Sequence, residues 1–403
     1  MTGRQAAIQI IRRLRKAGFE ALLAGGCVRD MLCGKKPKDY DVVTSAKPAE
    51  VCGLFHRTIK VGAKFGVIIV LIDKHQIEVA TFRAETGYSD GRRPDNVSFT
   101  CAKEDALRRD FTINGMFYDP LKKEIIDYVG GRRDLKKRTI RTIGKPAERF
   151  SEDYLRMLRA VRFSAQLDFK VEKNTLNAAK RYSANIVKIS GERIAMELES
   201  LLASFEREKG VKLLNETGLA KHIFPIFRDK SKAQFAVKIF DFLPKRITFE
   251  LAVAALFAGC GSGEAMKNLE ILKLSKNQLK HIKLLLEKRG YLLGDLSLAQ
   301  LKMIVAEPYF EDLYLLQKAI QKAEKKSLSA LSAVRRRANA LAGVELRPKP
   351  LLNGYEIIRL GAKPGPQVGL VAKGLYIEQL SERILTKPKA VNWVKEWLKK
   401  HKG

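Results

Sequence analysis

Strand signals crowd the first 128 residues of this 403-residue chain and are scarce beyond them. That asymmetry restricts the fold more than any single motif does. Residues 4–17 carry Ile8, Ile11 and Leu14 at helical spacing, and Gly18 closes them as a helix. Leu22-Leu23-Ala24 is a short strand running into Gly25-Gly26, a helix starts at 28–32, and 39–43 is the next strand. Residues 60–72 read as two strands broken at Gly62 and Gly66, and 76–82 as another. From about residue 120 to about residue 345 helical periods dominate, among them 154–167, 192–203, 265–274 and 279–286. A break at Arg347-Pro348-Lys349-Pro350 precedes a last helical segment that ends near Trp393 and Trp397. The expected class is α+β: a head built on a mixed sheet, then an all-α remainder.

Composition narrows the partners. With 76 Lys and Arg against 44 Asp and Glu, the formal charge is +32. A field of that sign attracts polyanions, so nucleic acid is the expected partner and an anionic membrane surface the rival. No run of 18 apolar residues is present, and 249–258, the densest stretch, is interrupted by Glu250. The five cysteines contain no Cys-x-x-Cys pair, and the five histidines lack metal-ligand spacing. Met1-Thr-Gly-Arg-Gln lacks the apolar core of a signal peptide, so the expected compartment is the cytoplasm. No membrane association and no stable protein partner are expected.

Asp39 and Asp41 follow Leu23-Ala24-Gly25-Gly26-Cys27-Val28-Arg29-Asp30. On a strand, residues i and i+2 share a face, so two carboxylates there can bind hard divalent cations. The Gly-Gly turn and Arg29 lie where backbone N–H groups and a cation can hold a triphosphate. Each half is weak alone, since an Asp-x-Asp is commonly a solvated turn and a Gly-Gly a plain cap. Two further blocks in order change the reading: Arg108-Arg109-Asp110-Phe111-Thr112-Ile113-Asn114, and Glu152-Asp153-Tyr154-Leu155-Arg156 through Arg159 and Arg162 to Phe163.

Taken together these blocks resemble the class II nucleotidyltransferases of the polymerase-β superfamily, in particular the bacterial CCA-adding enzymes (tRNA nucleotidyltransferases) with their poly(A) polymerase relatives. The motifs span residues 25–200, and 353–369 resembles the C-terminal part of the same family. The resemblance implies a nucleotidyltransferase head at 1–147, a helical neck at 148–205, a body at 206–345 and a tRNA-binding tail at 346–403. It implies Mg²⁺ held by Asp39 and Asp41, with Glu78 as a third carboxylate that helps deprotonate the primer hydroxyl. Gly25, Gly26 and Arg29 match the triphosphate contacts, Arg109 a nucleotide contact and Asp110 the group that bonds ribose hydroxyls. Asn114 has a helix-stabilising role as its plainer reading. The implied substrates are tRNA, CTP and ATP.

Asp153 with Arg156 is the expected base reader. Three residues apart on a helix, they share one face about 60° apart. An aspartate accepts from an exocyclic amine and an arginine donates to the adjacent ring nitrogen. Cytosine and adenine match that order, whereas uracil and guanine reverse it and would leave buried groups unpaired. Arg159 can share the face or reach a phosphate. Arg162 lies nine residues after Asp153, half a turn away, and cannot meet the same base edge without a bend. The resemblance places both arginines near the nucleotide. Residues 85–95, rich in turn formers, resemble the flexible loop of CCA- and A-adding members, with a plain hairpin loop as the alternative. The block from Glu192-Arg193 to Glu197-Leu198 is expected to brace the neck rather than to form a site. Poly(A) polymerase or an A-adding specialist is the nearest alternative function. A non-catalytic basic RNA-binding protein is the alternative from another class, and the retained Asp39, Asp41, Glu78, Asp153 and Arg156 argue against it.

Overall fold

A computed structural model describes residues 1–86 and 96–401. The chain forms two compact units, one of residues 1–233 with 267–274, the other of 234–266 with 275–403.

The first unit opens with α1 (Gly3–Lys16), whose start is fixed by a reciprocal cap between Thr2 and Gln5. Its buried stripe is Ala6, Ala7, Ile10, Ile11 and Leu14; Ile8 stands beside that stripe and stays half-buried. The small alanines let the helix lie close on the sheet, and apolar periodicity counted on large residues alone misses them. Then come β1 (Ala21–Ala24), α2 (Gly26–Leu32), β2 (Asp41–Thr44), α3 (Pro48–Leu54), β3 (Thr58–Gly62), β4 (Val67–Ile72) and β5 (His75–Thr81). After β6 (Arg83–Thr86) and β7 (Asn96–Phe99) follow α4 (Ala102–Leu107), β8 (Met116–Asp119) and β9 (Glu124–Asp127). The seven-stranded sheet has the order β3-β4-β5-β2-β1-β8-β9, with β2 parallel to β5 and its other pairings antiparallel. Strands β6 and β7 pair with each other apart from this sheet. Of the loop expected at 85–95, residues 87–95 lie outside the described residues.

Register places the functional edge. Asp41 pairs with Ala24, so the end of β1 delivers Gly25 and Gly26 beside the first residue of β2. Val42 pairs with Val79 on parallel β5, which brings Glu78 level with Asp41. The strand expected at 39–43 begins two residues later, and Asp39 sits exposed in the approach to it.

Next are α5 (Gly131–Lys136), β10 (Thr139–Ile140), α6 (Pro146–Glu152), α7 (Leu155–Leu167), β11 (Lys170–Val171), α8 (Lys173–Tyr182) and α9 (Gly191–Leu202). The expected single helical face for Asp153 and Arg156 does not form: α6 ends at Glu152, and Asp153 is extended at φ −150° between the two helices. Its carboxylate accepts the Leu155 N–H at 3.0 Å, an open backbone donor at the start of α7. An aspartate ahead of a helix competes for its first N–H groups, and that preference displaces it from the helix proper.

The regular elements of the second unit, among its described residues, are all helices. Its C-terminal part has an apolar cluster of its own, with Leu352, Ile357, Val371, Leu375, Val394 and Leu398 as members. No helix among the described residues is long and apolar enough to cross a membrane.

Candidate active site

The first unit contains a cavity of about 530 Å³ that gathers most of the residues singled out in the sequence. Gly25, Gly26, Arg29 and Asp41 form one wall, Arg109, Asp110 and Asn114 another, and Asp153, Arg156 and Arg159 a third. Gly25 has φ +70°, and a Cβ there would stand 3.2 Å from an Arg109 nitrogen and 3.8 Å from an Asp41 carboxylate oxygen. Glycine therefore serves both the turn and the close approach. Asp39 and Arg162 do not line this cavity. They line an adjoining cleft of about 620 Å³ that shares Gly26, Arg29 and Asp41 with it. Glu78 lines neither, and stands exposed on β5.

The carboxylate edge is under-neutralised. Burial, then the neighbouring Glu78, push the Asp41 carboxyl up to about 6; Arg109 offsets part of this and Asp39 adds to it. Among the described residues no group of three or more ligating side chains is preassembled for a metal. The pair nevertheless fits Mg²⁺, which takes one or two carboxylates and fills its other positions with waters and substrate phosphates. A half-buried carboxylate with carboxylate neighbours is the donor set such an ion would relieve.

The arginine wall is the reverse. Arg159 donates to Asp110 Oδ2 at 2.6 and 2.9 Å and to Glu197 at 3.3 Å, and Arg162 Nε donates to the other oxygen of Glu197 at 2.5 Å. Burial opposes the charge of Asp110, but Arg159, Asn114 and the Phe111 N–H hold it below the usual carboxylate range. Asn114 accepts from Arg29 at 2.7 Å and donates to Asp110 at 3.2 Å, so it links two site residues rather than merely stabilising a helix. The Phe163 ring lies under Arg29, Arg159 and Arg162, at 5.3, 5.4 and 4.0 Å from its centre.

Asp153 and Arg156 reach the cavity from separate elements, each held by its own partner. Arg193 clamps Asp153 through two bonds of 2.7 and 3.3 Å. Arg156 bonds Glu152, the Arg149 carbonyl at 3.0 Å and the Arg108 carbonyl at 3.4 Å. Both keep spare capacity. A carboxylate offers about four lone-pair directions, of which Asp153 uses three, and a guanidinium offers five N–H donors, of which Arg156 uses three.

Three contributors escaped the sequence reading. Arg193 and Glu197, expected only to brace the neck, grip Asp153 and the two arginines directly. Their signal was present as charged residues i and i+4 on α9, which a helix places on one face. Asp105, fully buried on α4, receives Arg108 at 2.6 and 3.0 Å and Arg109 at 2.9 and 3.1 Å. Its place three and four residues before them is the same helical signal.

Comparison with known proteins accords with this constellation. The family described as Poly A polymerase head domain matches residues 21–141, and that described as Probable RNA and SrmB-binding site of polymerase A matches 168–230. A CCA-adding enzyme of Enterococcus faecalis is 40% identical over 280 residues, 68% of either chain. One from Pediococcus pentosaceus is 32% identical over 397 residues, 93% of either chain. The solved structure of the Bacillus stearothermophilus CCA-adding enzyme in complex with CTP superposes with a TM-score of 0.81 over 99% of this chain and 98% of that one, at 27% identity. With likeness running nearly end to end in sequence and fold, the chain belongs to the family of the CCA-adding enzymes.

Proposed function

We propose that the protein adds CCA to the 3′ end of tRNA from CTP and ATP, without a template, releasing pyrophosphate at each step. The observation that carries this is the cavity itself: a glycine turn, an under-neutralised carboxylate and a base-reading pair converge on one nucleotide-sized space. In the relatives the same kind of protein is named for CCA addition and is found with CTP.

In this reading Arg29 and the Gly25-Gly26 turn receive the triphosphate, and Arg109, held by Asp105, meets the nucleotide. Asp110 and Arg159 lie where the ribose would enter. The spare lone pair of Asp153 accepts the exocyclic amine of cytosine or adenine, and a spare N–H of Arg156 meets the ring nitrogen beside it. The primer 3′-oxygen attacks the α-phosphorus, the bond to the pyrophosphate oxygen breaks, and the hydroxyl proton passes to Glu78. Asp39 and Asp41 would hold Mg²⁺, which supplies charge neutralisation and a more acidic attacking hydroxyl when bound. The site of action is the cytoplasm. The division into head 1–147, neck 148–205, body 206–345 and tail 346–403 belongs to the same proposal, and the separate apolar cluster of the last segment supports its final part.

The test is incubation with tRNA lacking its CCA, given CTP, ATP or both, followed by sequencing of the 3′ ends. CTP alone should add two C residues, and the pair should complete CCA. A homopolymeric A tail grown from ATP would instead assign the protein to the poly(A) polymerases.

A further inference from the structure

The nucleotide cavity is the first of three that run together. The cleft beside it, which contains Asp39 and Asp41, meets a third cavity of about 530 Å³ through shared Lys35 and Leu167. Lys35, Arg132, Lys136 and Arg138 wall this third cavity, and Leu135 and Phe169 floor it. Arg132, Lys136 and Arg138 take no part in lining the nucleotide cavity.

The local fold forces these cations together. Gly130, at φ +77°, turns the chain just before α5, and Arg132 and Lys136 fall four apart on one face of that helix. Arg138, at φ +51°, turns the chain so that its guanidinium lies over Phe169 and bonds Asp168 at 2.8 Å. Asp168 also takes Lys209, at 2.9 Å. Among the described residues, Arg138 alone of the four has a carboxylate partner. Like charges four apart weaken a helix, so this arrangement works against α5 until an anion joins it. An apolar floor with an aromatic ring and a basic wall is the combination that binds single-stranded nucleic acid, base on ring and phosphate on cation.

We propose that the unpaired 3′ nucleotides of the RNA primer lie along this third cavity, which delivers the last ribose to the middle cleft beside Asp39 and Asp41. The proposal rests on nucleotidyl transfer being the reaction, and it fixes the side from which the primer arrives: opposite the incoming nucleotide, over α5. Lys35 sits where the two cavities join and guides the phosphate between them.

The experiment is equilibrium binding of a fluorescent RNA hairpin with an unpaired 3′ overhang, and of the same hairpin with a blunt end, to the wild-type chain and to the exposed-residue variant Arg132→Gln/Lys136→Gln. Loss of two phosphate contacts should weaken overhang binding on the order of tenfold and lower its salt slope by about 1.4. Blunt-hairpin binding should be unchanged, and Arg132→Gln/Lys136→Arg, which keeps one of the two charges, should recover part of the loss. Equal weakening on both hairpins, or none on either, would overturn the track. Because binding is read without turnover, a chain that bound as expected yet incorporated no nucleotide would overturn the proposed reaction and leave the track standing.

Discussion

The carboxylate edge and the arginine wall meet at the nucleotide cavity through Asp41 on one side and Asp110 and Arg159 on the other, and they follow opposite electrostatic rules. On the edge, Asp39 and Glu78 are exposed and Asp41 is burdened by burial and by both of them. On the wall, Asp110, Arg159, Glu197 and Arg162 form a continuous chain of paired charges. Repulsion left in the folded chain is characteristic of a site awaiting a cation, and paired charges are characteristic of a surface whose shape must be ready before the ligand arrives. Mutations in the two regions should therefore separate stability from activity in opposite directions.

The largest effect is expected at Asp41. Asp41→Asn should reduce nucleotide incorporation on the order of a thousandfold or more, by removing a carboxylate that would hold the Mg²⁺ beside the reacting phosphate. Its melting temperature should hold or rise, since the substitution relieves repulsion. A variant that melts clearly lower would show that Asp41 is a structural residue and would remove the contrast.

Base choice comes next. Asp153→Ala removes the acceptor that suits an amine, so use of CTP and ATP should fall relative to UTP and GTP. The shift should be about tenfold or more, from about 1–3 kcal/mol per unpaired buried group. Single-nucleotide addition with each of the four triphosphates measures it. Arg193→Ala should move the preference in the same direction but less, because it releases Asp153 without removing it. An unchanged order of preference in both variants would place base reading elsewhere.

Glu197→Gln tests the wall itself. Two arginines share this carboxylate, so the variant should lose about 1–3 kcal/mol of stability in urea denaturation, the cost of leaving charged donors poorly matched. Activity should fall less than in Asp41→Asn. Full stability would mean that the wall is held by Asp110 alone.

Much of this was legible in the chain. The change from strand to helix signals after Tyr128, the glycine turn before Asp41 and the order of the motif blocks follow from local periodicity and turn chemistry, which sequence records directly. The partners of the charged residues were harder. Asp153 reads as the start of a helix until its carboxylate is seen to prefer the Leu155 N–H and Arg193. Arg193 and Glu197 come from α9, some 40 and 35 residues from the groups they hold, and sequence spacing carries no sign of that meeting. Asp105 was within reach of helical reasoning, yet it lies just outside the recognisable Arg-Arg-Asp block and escaped for that reason alone.

The smallest expected effect concerns pH and tests whether the wall's pairing extends to α4. Burial works against the Asp105 charge, but Arg109 and Arg108 outweigh it and hold the carboxyl below its ordinary value. A carboxyl whose pKa is depressed by folding contributes stability that is fully present above its unfolded value, about 3.9, and is lost as pH falls through the folded one. The stability gap between wild type and Asp105→Asn should therefore be constant from about pH 7 to about pH 5 and should narrow only below about pH 4. Nucleotide binding by the variant should weaken together with its stability at neutral pH, since Arg109 loses the partner that aims it. Urea denaturation of both proteins across this range, with CTP binding measured at neutral pH, separates the two consequences. A gap that closed already between pH 7 and pH 5 would mean that Asp105 titrates above its ordinary value, so that it belongs with the strained carboxylates of the edge and not with the paired charges of the wall.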